Sequence, residues 1–272
     1  MKAAANQRNP VVRTKSSVFR PFAAVVGFTA MLITAGSLPA QPIFVPNHSF
    51  ELDTAPNFYP FANTNIASWQ KIPEPAYYLP AIGTFPPWNG TAGVFLDVNP
   101  YANRVGNQAG YILAFPQVTL FQDYSTSPTH DFNATFEIGK SYNLTVGIFG
   151  KDTIAPGSTL EISLYYRDNL DNKVTVGSTI VTYSAAAFPA AGPLMLVDYE
   201  VSVPTVLAEH AWAGQYIGIQ FESTIGLELA TGGNWDFDNV RLTAVPEPGV
   251  MSLLTLGGAG WLLARKRTRV RD

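Results

Sequence analysis

The chain of 272 residues contains no cysteine. Disulfides, thiolate nucleophiles, thiolate zinc sites and iron–sulfur clusters are therefore excluded. Histidine is nearly as scarce. His48, His130 and His210 lie far apart, in no His-Glu-x-x-His spacing, and each reads as structural. No Gly-x-Ser-x-Gly nucleophile elbow occurs. Basic side chains are few in the middle of the chain: between residues 41 and 244 there are 7 against 18 acids, a net of −11, whereas the whole chain carries −3. Such a body has no nucleic-acid footprint, which excludes a nucleic-acid partner. It can stay soluble and recruit divalent cations. The body also lacks any long window of helical period; only 206–213 suggests a short helical turn.

What is present falls into three parts. Residues 1–40 carry Lys2, Arg8, Arg13, Lys15 and Arg20 and no acid, then an apolar run from Pro21 to about Ala35, then small residues up to Ala40. A basic, an apolar and a small-residue segment in that order predict a secretory signal peptide cut near Ala40. The alternative, an N-terminal membrane anchor, would need a longer run. Residues 41–244 suffice for one well-buried domain. At the far end, residues 249–264 are sixteen without a charge, followed by Arg265, Lys266, Arg267, Arg269 and Arg271. Sixteen helical residues reach about 24 Å, a short transmembrane helix, with the basic tail 265–272 expected on the cytoplasmic side.

The body reads as all-β. Tyr142, Leu144, Val146 and Ile148 alternate with Asn143, Thr145 and Gly147, as do Leu160, Ile162, Leu164 and Tyr166 with Glu161, Ser163 and Arg167. Ile217, Ile219 and Phe221 repeat the period of two that marks a half-buried strand. Weaker strand patterns cover 94–97, 118–124, 174–183, 195–203 and 235–243. Many short strands between Gly, Pro, Asn and Asp turns predict a single β-sandwich. The aromatic and proline-rich stretch 55–90 fits long loops at one end of it. Its rings either form a platform for sugar stacking or fill a loop-covered core.

Pro246-Glu247-Pro248, the short apolar helix and the Arg-rich end closely resemble the PEP-CTERM sorting signal of bacterial envelope proteins. The resemblance covers residues 245–272. It implies an exosortase-type processing enzyme as partner, transient membrane anchoring through the C-terminal helix, and release to the cell surface or extracellular matrix. Pro73-Glu74-Pro75 spells the same tripeptide, but no apolar helix or basic tail follows it, so it is given no sorting role.

A second resemblance sits at the two ends of the body. The stretch from Phe44 to Glu51, with Asn47, Phe50 and Glu51 in an Asn-x-x-Phe-Glu pattern, resembles the opening of galactose-binding-like and carbohydrate-binding-module-like jelly rolls, where it begins the first strand. The run Phe237-Asp238-Asn239-Val240-Arg241-Leu242 resembles their closing strand, and Gly139 to Gly147 is also typical of them. The resemblance implies a jelly-roll fold in which Glu51 and Asp238 hold a structural calcium. Strand parity gives independent support: Val240 and Leu242 share a face with Asp238, so an inward valine and leucine turn the aspartate inward, where it needs a partner such as calcium. The alternative is a bulge that carries Asp238 to solvent.

Together these readings predict an exported, non-enzymatic envelope or matrix protein that associates with exopolysaccharide. The competing class is an exported polysaccharide-acting hydrolase on the same scaffold. Asp236 and Asp238, two apart on a strand, would share a face. Hydrolytic carboxyl pairs stand about 5–10 Å apart and usually come from different strands across a cleft.

Overall fold

The computed structural model describes residues 39–56, 62–78, 86–96, 101–151, 153–189, 194–230 and 232–247. The expected signal peptide up to residue 38, Pro248, the apolar segment 249–264 and the basic tail lie outside the described residues. Among the described residues, no helix is long and apolar enough to cross a membrane.

Among the described residues, twelve strands form two sheets. In chain order they are β1 (Gln41–Ile43), β2 (Ala62–Asn63), β3 (Gln70–Lys71), β4 (Ala92–Leu96), β5 (Gln108–Leu113), β6 (Thr119–Gln122), β7 (Lys140–Gly150), β8 (Thr159–Arg167), β9 (Lys173–Thr182), β10 (Val197–Val203), β11 (Gly218–Ser223) and β12 (Asn234–Pro246). The larger sheet has the order β10-β7-β12-β5-β4-β2, and β1 pairs with β12 as a seventh strand. The smaller has the order β3-β6-β11-β8-β9. Every named pairing is antiparallel.

Alternation decides which faces meet. Tyr142, Leu144, Val146 and Ile148 of β7 face Leu160, Ile162 and Leu164 of β8 across one continuous core. Phe50 stacks on Trp69 at 5.4 Å, and Trp69 on Phe221 of β11 at 5.3 Å. Phe237 of β12 closes the ring cluster, 5.2 Å from Phe50 and 4.9 Å from Phe221. Four rings thus bind the N-terminal segment to both sheets.

Two local expectations are corrected. The Asn47–Glu51 pattern does not begin a strand; it forms turns after β1. Residues 208–214 are successive turns rather than a helix. The sequence shows no period of two over β5. Its burial runs almost without a break, and Gly110 lies so close to the Phe237 ring that a Cβ would collide with it. A strand covered on both faces carries no period of two.

Candidate functional site

The two residues expected to hold calcium meet at one loop. Asn47 takes a positive φ of 48°. Its carbonyl accepts the Phe50 N–H and the Trp69 indole N–H, while its side-chain amide donates to Ala67 and accepts from Leu52. That turn sends Phe50 into the core and leaves the next residue, Glu51, against residues 104–108. Glu51 Oε1 accepts the N–H groups of Asn107 (2.8 Å) and Gln108 (2.7 Å). Gly106 lies beneath this carboxyl at φ +81°, where a Cβ would strike it. From the other side, Asp238 Oδ2 accepts the Val105 N–H at 2.7 Å. Asp238 Oδ1 is buried and has no hydrogen-bond partner. Burial pushes the Asp238 carboxyl up to about 7, opposed by the nearby Val105 and Asn239 amides; the Glu51 charge adds to the rise and Arg104 opposes it. An orphaned oxygen and a second carboxyl on the same loop fit a hard cation with oxygen ligands. Among the described residues, no group of three or more His, Asp or Glu is placed to hold a metal, so backbone carbonyls or water would complete the shell.

The parity argument for Asp238 fails, although the residue is buried. The β12–β7 register shifts between Asp238 and Arg241, and Asn239 sits there at φ 55°. This bulge puts Trp235 and Phe237 on the inner face before it, and Val240 and Leu242 on the inner face after it. Asp236 and Asp238 therefore share the outer face of the larger sheet. The bulge does not expose Asp238, because the loop from Tyr101 to Asn107 covers it. That loop is pinned by hydrogen bonds between Ala102 and residues 194 and 196.

Asp236 builds a second cluster on the same face, one that sequence spacing did not reveal. It is fully buried. Tyr101 donates its hydroxyl to Oδ2 (2.5 Å), Lys151 Nζ lies 3.2 Å from the same oxygen, and the Asn234 amide donates to Oδ1. The Tyr101 ring packs on Phe149 at 5.0 Å, and Lys151 Nζ sits 4.8 Å above Phe95. Asp236 and Asp238 each bind a covering loop; they do not oppose one another across a cleft.

Among the described residues, rings of the 55–90 stretch pack into the core. Trp69 is sandwiched between Phe50 and Phe221, and Tyr78 meets Trp88 and Phe115 edge to face. The histidines stay apart: His130 packs on Tyr124 and His210 on Trp212. At the far end, Pro246 is the last residue of β12 and pairs with Lys140. The Glu247 N–H donates to Gly139 (2.9 Å), and its carboxylate accepts the Thr205 hydroxyl (2.6 Å). Pro246 and Glu247 thus lie at the end of the sandwich's last strand.

A family model described as HpiC1-like, HpiC1 cyclase, matches residues 41–243. The chain belongs to the HpiC1-like family. A second model, the PEP-CTERM protein-sorting motif, matches residues 244–267, immediately after the HpiC1-like region. No curated protein matches the chain. Among solved structures, an apo form cyclase from Fischerella sp. is similar at 20% identity and a TM-score of 0.49, covering 76% of this chain and 98% of that one. TmCBM61 in complex with β-1,4-galactotriose is similar at 14% identity and a TM-score of 0.39, covering 73% and 96%. A non-crystalline cellulose specific carbohydrate-binding module, CBM28, is similar at 14% identity and a TM-score of 0.34, covering 55% and 80%.

Within the HpiC1-like region a third buried carboxylate organises the smaller sheet. Asp123 accepts from the Tyr165 hydroxyl (2.6 Å), Arg167 Nε (2.9 Å) and both the N–H and hydroxyl of Thr126 (2.8 Å each). Desolvation acts to raise its pKa, but the hydrogen bonds from Tyr165, Thr126 and Arg167 outweigh it and hold the carboxyl below its ordinary value. A carboxyl depressed in the folded state contributes stability that is present above the unfolded value of about 3.9 and is lost as pH falls through the folded value. Urea melts of wild type and Asp123→Asn should therefore differ by a constant amount from pH 7 to pH 5, and converge as the pH falls below about 4. A difference that stayed constant down to pH 2 would contradict this role.

Proposed function

We propose that this HpiC1-like protein is exported, sorted to the cell surface or extracellular matrix through Pro246-Glu247-Pro248 by an exosortase-type enzyme, and works there as a non-catalytic module of jelly-roll type that associates with exopolysaccharide. The observation that carries the reading is the PEP-CTERM motif beginning where β12 ends. The signal-like residues 1–40 support export, and the apolar segment 249–264 supports membrane anchorage before processing. A body of −11 favours neutral glycan over anionic polymer. Calcium held by Glu51 and Asp238 is structural in this reading, tying the N-terminal turn to the last strand.

A second reading, catalysis, is favoured by one arrangement: the buried Asp236 carboxyl beside the Tyr101 and Phe149 rings, in a family whose model carries the word cyclase. Against it, Asp236 is held by Tyr101, Lys151 and Asn234 and so anchors a covering loop. Protein recovered from the cell surface should co-sediment with the cells' own exopolysaccharide and leave its chain length and reducing ends unchanged over long incubation. Polymer shortening that Asp236→Asn abolishes would decide for an enzyme, and failure to co-sediment would contradict polysaccharide association.

A further inference from the structure

Beside Asp123, at one end of the smaller sheet, an aromatic column stands over a polar cleft. Tyr216 stacks on Tyr124 with ring centres 4.1 Å apart and planes 11° apart, and Tyr124 is backed by His130 at 4.7 Å. The column is held by backbone. Thr135 bridges Tyr216, the Phe136 N–H donates to Gln215 (2.9 Å), and the Ile217 N–H donates to Ala134 (2.9 Å). Tyr216 nevertheless remains 41% exposed. Below it lies a cleft of about 40 Å³, lined by Asp123, Ser125, Tyr165, Arg167, Gln215 and Tyr216.

The chemistry of this place limits its ligand. Asp123 is occupied by its four donors, and Arg167 Nη1 donates to the Asp171 carbonyl at 2.8 Å. Arg167 Nη2, the Gln215 amide and the Ser125 hydroxyl make no side-chain hydrogen bond among the described residues, which leaves donors and acceptors for hydroxyl groups. The cleft has room for water-sized groups such as a hydroxyl or hydroxymethyl. The ring of a ligand then lies outside it, against the exposed part of Tyr216. A pyranose has an apolar C–H face for such stacking and hydroxyls at its edge for the cleft. The acidic body as a whole opposes an anionic sugar.

We infer that Tyr216, Arg167, Gln215 and Ser125 form a subsite for one neutral pyranose unit of a polysaccharide. The inference rests on the exopolysaccharide reading and gives it a location. The test uses the mature protein recovered from the cell surface and the neutral fraction of exopolysaccharide stripped from the same cells. Tyr216→Ala should weaken binding about tenfold or more, as loss of a stacking tyrosine anchor does, while Tyr216→Phe stays within about threefold because the ring remains. Tyr216→Phe should melt like wild type, and Tyr216→Ala should stay folded with a melting temperature lower by about 2–4 °C, for loss of the Tyr124 stacking contact. Undiminished binding by Tyr216→Ala overturns the subsite and leaves surface association standing. Absence of binding by wild type overturns both.

Discussion

Replacing Pro246-Glu247-Pro248 with three alanines is expected to leave the protein membrane-bound and to abolish its release to the cell surface. The apolar segment 249–264, the proposed anchor, is untouched, while the residues proposed to be read by the processing enzyme are gone. The fold should survive. Pro246 only closes β12, and the hydrogen bond from Thr205 to Glu247 is exposed, contributing about 1 kcal/mol or less. Thr205→Ala is the matching control: it loses the same contact, keeps the tripeptide, and should be released normally. Fractionation of cells carrying each variant checks both. Normal release of the triple variant would reduce the motif to a strand stop.

Chelation of calcium is expected to lower the melting temperature of the mature protein by about 5–10 °C. Ion binding to the folded state alone stabilises it by about 2.7 kcal/mol at a hundredfold excess over Kd, and a domain of this size shifts by about 2–4 °C per kcal/mol. Asp238→Ala should make the protein insensitive to chelator. Asp238→Asn should keep part of the response, because an amide oxygen still ligates. The expectation rests on the buried, unpartnered Oδ1 of Asp238 and on Glu51 gripping the same loop. Equal melting with calcium and with chelator would leave Asp238 as a buried carboxyl that anchors Val105.

Much of the sandwich could be read from the sequence because β7, β8 and β11 each bury one face and alternate. The strand β5 could not, since both of its faces are covered and Gly110 yields its space to Phe237. The pairing of Glu51 with Asp238 followed from the end-to-end resemblance, but the face of Asp238 was misread. One inserted residue at the bulge inverts parity. The sequence held a faint signal there, because Asn is among the few residues that accept positive φ. The cluster around Asp236 was invisible in spacing. Tyr101 and Lys151 reach it from a loop and from the end of β7, and only the sheet register brings them together. Tyr216 and Arg167 meet in the same non-local way at the end of the smaller sheet.

The most direct test of surface sorting is the intact mass of the protein recovered from the cell-surface fraction. The account predicts a chain that begins near Gln41 and lacks the apolar segment 249–264 and the basic tail 265–272. A surface protein whose mass includes both Met1 and Asp272 would contradict it.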